Sequence, residues 1–337
     1  MPERPRTTPL IQVTHLQAIH LPEAGLWLDP PVAKDRAFVS HAHSDHVARN
    51  RTAICTPLTR DLMLKRGSAG RRTEFLTPNP GEVMELDGFA LRLLPAGHVM
   101  GSAMLHITRL CDGAALLYTG DYKLRRGITG EAAELLPADT LVMETTFGLP
   151  RYKFPPAVEI AEAMVRFVNE ALVAGGTPLL LGYSLGKAQE ILGALRSLPH
   201  PVMLHPSVAE MTRLLAPHLG ALPACAPFDV ARAAGHAVIL PPGAPQIDEL
   251  RERAACRVAM VSGWGLDKAA KYRYRVDEVF PLSDHADYPE LIETVERVKP
   301  RLIYTVHGFT REFASDLRRL GHDARALGQE EQLDLSL

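Results

Sequence analysis

Cysteine is scarce in this chain, and no two cysteines lie near one another. The four (Cys55, Cys111, Cys225 and Cys256) form no Cys-x-x-Cys pair. That spacing argues against thiolate ligation of a metal and suits reduced thiols in a cytoplasmic protein. Nowhere is there the uninterrupted run of ~18 to 20 apolar residues that a membrane span needs, so no membrane association is expected. The opening Met1-Pro2-Glu3-Arg4-Pro5-Arg6 does not lead into the apolar core of a signal peptide. There is no large excess of charge of either sign. A formal net charge of -2 excludes a bulk polycation, so any nucleic acid would have to be held in a local groove. Lysine is rare as well, at eight of 37 basic residues; arginine is the better bidentate phosphate ligand. Internal repeats and low-complexity segments are absent.

What is there suits a soluble globular protein, with 46% hydrophobic and 23% charged residues. At 337 residues the chain fits two domains, or one domain with a large insertion. Up to about Leu149 it reads as short apolar strands separated by Gly and Pro turns. These are Leu26 to Leu28, Ala37 to Val39, Phe89 to Leu94, Met104 to Ile107, Ala115 to Tyr118 and Thr140 to Met143, with a more helical Thr59 to Lys65. After Pro155-Pro156 the texture changes. Ala157 to Ala174 has apolar residues at helical spacing and is stopped by Gly175-Gly176. A strand at Pro178 to Leu181 and a helix at Gly186 to Leu195 follow, an α/β alternation. From Val279 the first texture returns. The expected organisation is one domain over 1–150 and 279–337, with a second inserted at 151–278.

The densest chemistry is Ser40-His41-Ala42-His43-Ser44-Asp45-His46, directly after the apolar Ala37-Phe38-Val39. Three imidazoles and a carboxylate in six residues are a ligand set for zinc, manganese or iron(II). In an extended segment His41 and His43 project from one side, while Asp45 and His46 turn toward a neighbouring position, so the motif can serve two cations. His98, in Pro95-Ala96-Gly97-His98-Val99-Met100-Gly101-Ser102, and Asp121, in Tyr118-Thr119-Gly120-Asp121, both sit just past apparent strands. There flanking glycines permit close approach.

His41-x-His43-x-Asp45-His46 followed by His98 and Asp121 resembles the metallo-β-lactamase fold, an αββα sandwich with a dinuclear site at one edge. The resemblance implies that His41, His43 and His98 hold one metal. Asp45, His46 and a bridging Asp121 would hold the other, with Asp29 orienting ligands from behind. Three later motifs resemble the β-CASP branch of that superfamily, whose members are nucleases. They are Glu144 in Met143-Glu144-Thr145-Thr146, His285 in Ser283-Asp284-His285-Ala286-Asp287, and His307 in Val306-His307-Gly308. The implied fold is thus an α/β metallo-β-lactamase sandwich with an inserted α/β cap. Within the branch, Thr146-Phe147-Gly148-Leu149-Pro150 and the compact length look most like bacterial ligase-associated DNA exonucleases, kin to the Artemis-type repair enzymes. One departure is His307: Artemis-type enzymes generally carry valine there, and RNA-processing members histidine.

The implied chemistry is hydrolysis of phosphodiester bonds in single-stranded DNA from the 5′ end, by a hydroxide bridging two divalent ions (Zn²⁺ or Mn²⁺). The same ions would neutralise the charge that builds during attack. Asp45, His285, Glu144 and Asp29 form the catalytic set. His285 contacts the phosphate or protonates the leaving oxygen, and Glu144 orients His285 or His307, which also reaches toward a metal. The segment Gly182-Tyr183-Ser184-Leu185-Gly186-Lys187 follows a strand and opens a helix, a setting that favours an anion. Tyr183, Ser184, Gly186, Lys187 and Ser283 are the expected phosphate contacts. Lys268 to Arg275 interleaves four cations with two tyrosines, suited to a backbone with unpaired bases; Arg60, Lys65, Arg66, Arg71 and Arg72 add a weaker basic signal. The other eight histidines carry no ligand spacing. DNA, with a ligase and helicase repair system, is the expected partner. The alternatives are an RNase of the same architecture, a small-molecule hydrolase such as a thioesterase, and a non-catalytic scaffold.

Overall fold

The computed structural model describes residues 8–15, 17–253 and 255–327; the N-terminal segment read above for a signal peptide lies outside them. The chain divides into two compact units. The first comprises residues 1–125, 132–152 and 285–337, and the second residues 126–131 and 153–284. Elements are numbered in chain order.

The first unit opens with β1 (Thr14–His15), β2 (Ile19–Leu21), β3 (Leu26–Leu28), β4 (Arg36–Phe38), β5 (Thr52–Ile54), α1 (Pro57–Lys65) and β6 (Glu74–Leu76). The six strands form one sheet in sequential order, with β3 through β6 parallel. Parallel neighbours need a crossover, and α1 supplies it between β5 and β6. Pro57 begins that helix, the Thr56 hydroxyl accepts the Thr59 N–H, and Leu62 and Met63 are fully buried.

A second sheet is built from β7 (Val83–Leu86), β8 (Phe89–Pro95), β9 (Ala103–Arg109), β10 (Ala115–Tyr118) and β11 (Thr140–Thr145), completed near the end of the chain. Leu28, Phe38 and Ile54 of the first sheet share a core with Leu105, Leu116, Tyr118 and Val142 of the second. Period two then turns Leu117, Leu141 and Met143 to the opposite face.

The second unit follows with α2 (Ala157–Val173), β12 (Thr177–Leu181), α3 (Lys187–Ala194), β13 (Val202–Leu204), α4 (Pro206–Leu215), β14 (Cys225–Pro227), β15 (Ala237–Leu240), α5 (Gln246–Arg253), β16 (Cys256–Val261), α6 (Ala270–Tyr274) and β17 (Glu278–Phe280). Its strands pair in parallel in the order β14-β13-β15-β12-β16-β17. Such a sheet must be covered on both faces. Leu180, Ile239 and Val261 pack with Met164, Ile191 and Val208 of α2, α3 and α4, whereas Leu179, Val238 and Met260 pack with Ile247 and Leu250 of α5.

The strand at 278–280 corrects the domain boundary expected from sequence. β17 pairs with β16 (Ala259 opposite Glu278, Val261 opposite Phe280), so the return to the first unit begins at His285 rather than 279. Residues 126–131 also belong to the insert. The carboxylate of Glu190 accepts the N–H groups of Ile128 and Thr129 and the Thr129 hydroxyl, holding that strap on α3.

The first unit then closes with α7 (Tyr288–Val298), β18 (Leu302–Gly308), α8 (Thr310–Arg319) and β19 (Ala324–Ala326). β18 lies parallel to β11, and β19 to β18. Asp287 and Glu290 form a reciprocal cap at the start of α7, with Pro289 in its first turn. Leu291, Val295 and Val298 of α7 and Phe313 and Leu317 of α8 cover the outer face of the second sheet. The layers are therefore helix, sheet, sheet, helix, the αββα arrangement. No helix among the described residues is long and apolar enough to cross a membrane.

Candidate metal centre

Two parallel strand ends of the first sheet and two loops of the second set the site. β3 delivers Asp29, β4 delivers 40–46, β8 is followed by His98, and β10 by Asp121. Asp29 is the anchor. Its backbone is left-handed, with φ 41°. Its Oδ1 accepts the Ser40 N–H (2.7 Å), and its Oδ2 accepts the hydroxyls of Ser40 (2.5 Å) and Tyr118 (2.9 Å). The same oxygen lies 3.0 Å from His46 Nδ1. The His46 ring is thus fixed with Nε2 turned away from Asp29. Ser40 does the same for His41, its hydroxyl lying 2.9 Å from Nδ1. Holding one ring nitrogen so that the other points at a cation is how ligating histidines are usually oriented.

The freed nitrogens converge. His43 Nδ1 is 3.0 Å from His41 Nε2 and 3.2 Å from His98 Nε2. Asp121 Oδ2 lies 3.2 Å from His46 Nε2, 3.6 Å from His41 Nε2 and 3.8 Å from His98 Nε2. Three overlapping groups result: His41, His43 and His98; His41, His46 and Asp121; and His98, Asp121 and His285. In each, the donor atoms lie within 4.8 Å of one another. With zinc–nitrogen bonds of about 2.0–2.1 Å, tetrahedral ligand atoms sit roughly 3.3 Å apart, so the nitrogen spacing fits a shared cation. The donors are all imidazole and carboxylate, which admits zinc or manganese. These residues can hold metal ions, with Asp121 common to two of the groups.

The electrostatics follow from the same geometry. Burial, reinforced by the neighbouring rings of His46, His98 and His43, pushes the pKa of His41 well below the ordinary imidazole value, leaving it a neutral donor. Burial also opposes charge on His46, but Asp121 and Asp29 outweigh it and hold that ring's pKa well above normal. Burial alone would raise Asp121; His46, His285 and His41 instead draw it well below the usual carboxylate range. Burial and the adjacent Asp29 carboxylate raise Tyr118, keeping its hydroxyl a donor.

Behind His285 stands Glu144, fully buried at the end of β11. Its two oxygens lie 2.9 and 3.0 Å from His285 Nδ1 and also accept the backbone N–H groups of Tyr122 and Thr146. Of the two histidines named for Glu144, the one it holds is therefore His285. His285 itself stands with His98 and Asp121, its ring 4.8 Å from that of His98.

The other expected site residues are placed as follows. Asp45 points outward, its side chain 79% exposed, with Oδ2 3.7 Å from His46 Nε2 and outside all three groups. His307 is exposed, has a left-handed backbone (φ 56°), and has its ring 5.8 Å from that of His46, again outside the groups. In the second unit Tyr183 is exposed, and the Ser184 hydroxyl lies 2.8 Å from that of Ser207. The Gly186 N–H is taken by the Gln189 side chain, and Ser283 is buried. Lys187 is not a free surface charge. Buried, it donates to the Leu282 carbonyl (2.7 Å) and pairs with Asp284 (2.9 Å). In the basic stretch at 268–275, Lys271 pairs with Glu278 and Arg273 with Asp267, while Tyr272 stays exposed. Sequence reasoning missed Ser40 and Tyr118 as supports. A tyrosine on the inward face of β10, three residues before Asp121, was the available signal, because a buried phenol needs a partner.

Layers and cluster together give an αββα protein with a site suited to two cations. In both respects it is similar to the metallo-β-lactamase-fold β-CASP nucleases. Residues 271–327 match the family described as Zn-dependent metallo-hydrolase RNA specificity domain. The chain is 43% identical, over 95% of its length, to a protein of Opitutus terrae called "Probable DNA ligase", of which it covers 31%. It is 28% identical over 52% of its length to "RNase aCSPSF2" of Saccharolobus solfataricus, covering 42% of that protein. It therefore spans less than half the length of either relative. In fold it is similar to a protein of unknown function from Enterococcus faecalis, with TM-score 0.59 and 16% identity over 88% of this chain and 79% of that one.

Proposed function

We propose that the protein is a metal-dependent exonuclease that hydrolyses phosphodiester bonds of single-stranded DNA from the 5′ end, in the cytoplasm and in DNA repair beside a ligase. The observation that carries this reading is the 43% identity, along 95% of the chain, to part of a protein named as a DNA ligase. The convergent ligand groups on Asp121 support metal-assisted hydrolysis.

Bound divalent ions would supply water acidified to react at neutral pH and would neutralise phosphate charge. This chain's own residues do the rest. Ser40 and Asp29 fix His41 and His46 so that one nitrogen of each faces the cluster. Glu144 favours a proton on His285 Nδ1, leaving Nε2 free to accept one or, when the ring is charged, to donate one to the departing oxygen. Tyr183, Ser184, Gly186, Lys187 and Ser283 are the proposed contacts to a terminal phosphate. A phosphate there would compete with Ser207 for the Ser184 hydroxyl, with Gln189 for the Gly186 N–H and with Asp284 for the Lys187 ammonium.

A second reading, cleavage of RNA, draws on the RNA-specificity description matched at 271–327 and on His307. One experiment separates the two: digestion of matched end-labelled DNA and RNA by the purified protein across a panel of divalent ions. Both 5′-phosphate and 5′-hydroxyl ends, and 3′-blocked strands, are included. The DNA reading expects mononucleotide release from 5′ ends of DNA. Degradation confined to RNA, or release from 3′ ends, overturns it.

A further inference from the structure

The strands β4, β5 and β6 are parallel, so their C-terminal ends, where 40–46 lies, define one edge of the sheet. The segments that enter those strands define the opposite edge. There a cavity of about 760 Å³ is lined by Lys34, Arg49, Arg51, Arg71 and Arg72, with Asp35 as the one acidic residue in its wall. Among the described residues none of these four arginines has an ion pair, whereas Arg36, Arg109, Arg257 and Arg325 each have a carboxylate partner. Collecting unpaired cations in one concavity is electrostatically unfavourable unless an anion visits it.

The cavity is also built. Asn50 Oδ1 accepts the Lys34 N–H (2.9 Å), the Thr73 hydroxyl donates to the Asn50 carbonyl (2.7 Å), and the Arg51 N–H reaches the Lys34 carbonyl (2.9 Å). Three loops are thereby tied to one another. Asn50 is 1% exposed and lines the cavity, and its Nδ2 has no acceptor. A buried donor left without a partner costs about 1–3 kcal/mol, and here it stands in the wall of a cationic cavity. Trp27 closes another side, stacked on His20 with the Lys34 ammonium 4.0 Å from its ring centre. The ring is already engaged, so the wall offers charge and donors rather than a stacking platform.

We propose that this cavity is a second anion site, which takes the sugar-phosphate backbone of a nucleic acid strand at the sheet edge opposite the metal cluster. The proposal rests on the nuclease reading. Strands of three residues at about 3.3 Å each put at least ~10 Å of sheet between the two edges, so only a strand of several nucleotides engages both. The contacts are to phosphate, and the site is indifferent to sequence.

Trp27 and Trp264 are the two tryptophans, so Trp264→Phe leaves Trp27 as the sole emitter beside the cavity. The metal-loaded Trp264→Phe protein is titrated with a cleavage-resistant phosphorothioate oligonucleotide at several salt concentrations. Trp27 emission is expected to change saturably. Combining Arg49→Ala, Arg71→Ala and Arg72→Ala should abolish that change and lower the log–log salt slope by about 2, at roughly 0.7 per lost phosphate contact. Lysine at all three positions should restore it, and cleavage of a trinucleotide should not change. Unmoved Trp27 emission, an unchanged slope in the alanine variant, or displacement of the strand by an equal concentration of inorganic phosphate overturns the proposal. If emission responds and depends on the arginines while no nucleic acid is cut, the nuclease reading fails and the anion site stands.

Discussion

The Nδ1 of His285 lies within 3.0 Å of both carboxylate oxygens of Glu144, a residue 141 positions earlier in the chain. The carboxylate is fully buried and the imidazole part-exposed, so the acid rather than solvent sets the tautomer of the ring. Replacing Glu144 by Gln keeps the shape and removes the charge. Activity is expected to fall by about 10–100-fold, as for other partners of ligating or catalytic histidines. The pH–rate limb that reports His285 should move to lower pH, because the protonated ring loses its counter-charge. An unchanged limb, measured at saturating metal, contradicts the assignment.

Removing a group from the centre of the cluster has a different effect. His43→Ala and Asp121→Ala are each expected to abolish hydrolysis and reduce bound metal per chain, with the thermal unfolding transition still cooperative. Metal content by elemental analysis beside a melting curve checks this. Full activity in either variant would remove the cluster from the mechanism.

Metal loading should depend on pH through His46. In the metal-free protein its pKa is raised well above 6.5, against the pull of burial, by Asp121 and Asp29. The charged ring therefore stabilises the fold below pH 6.5, and that contribution is lost as pH rises through the raised value. A cation needs the neutral ring, so binding displaces this proton and tightens with rising pH. His41, already neutral through burial, contributes none. Calorimetric titration of metal-free protein at pH 7, in buffers of different ionisation enthalpy, should show proton release; its absence in wild type would refute the account of His46.

The buried pair of Lys187 and Asp284 predicts a stability effect with no direct loss of chemistry. Lys187→Ala leaves a carboxylate only 9% exposed beside the Leu282 carbonyl. Breaking such a pair costs about 3–5 kcal/mol. Denaturant unfolding should show a midpoint shift of that size, and Lys187→Met with Asp284→Leu together should recover part of it. A shift below about 1 kcal/mol would mean the pair is solvated.

What could be read from sequence follows the range of the interactions. His41, His43 and His46 lie within one turn of loop, so their spacing alone exposed them, whereas Asp45, read with them, lies outside the three groups. His98 and Asp121, each just past an apparent strand, became candidates only through their order after residues 40–46, the pattern that carries the family resemblance. Tyr118 was not legible as a support for Asp29. The two lie 89 positions apart, and only the packing of one sheet on the other brings phenol to carboxylate. For Lys187, read as a phosphate contact at a helix start, the ion pair was not legible for a related reason: its partner Asp284 arrives from a segment nearly 100 residues later. The strand at 278–280 has the same local texture as strands of either unit, and only its pairing with β16 assigns it. Arg71 and Arg72, grouped by sequence with Arg60, Lys65 and Arg66, just precede β6 and line the cavity at its entry, which the other three do not.

The strap at 126–131 bears on how this chain could be shortened or recombined. The polypeptide passes between units at 125/126, 131/132, 152/153 and 284/285, so the insert is sewn in at two places. Excising 153–284 would strip Ile128 and Thr129 from Glu190 and uncover the surface beside Gly193, where an added methyl would meet Thr129 at 2.6 Å. Transplanting the insert between homologues therefore requires moving both pieces together, and a circular permutant opened inside the strap would unpick one of its two seams.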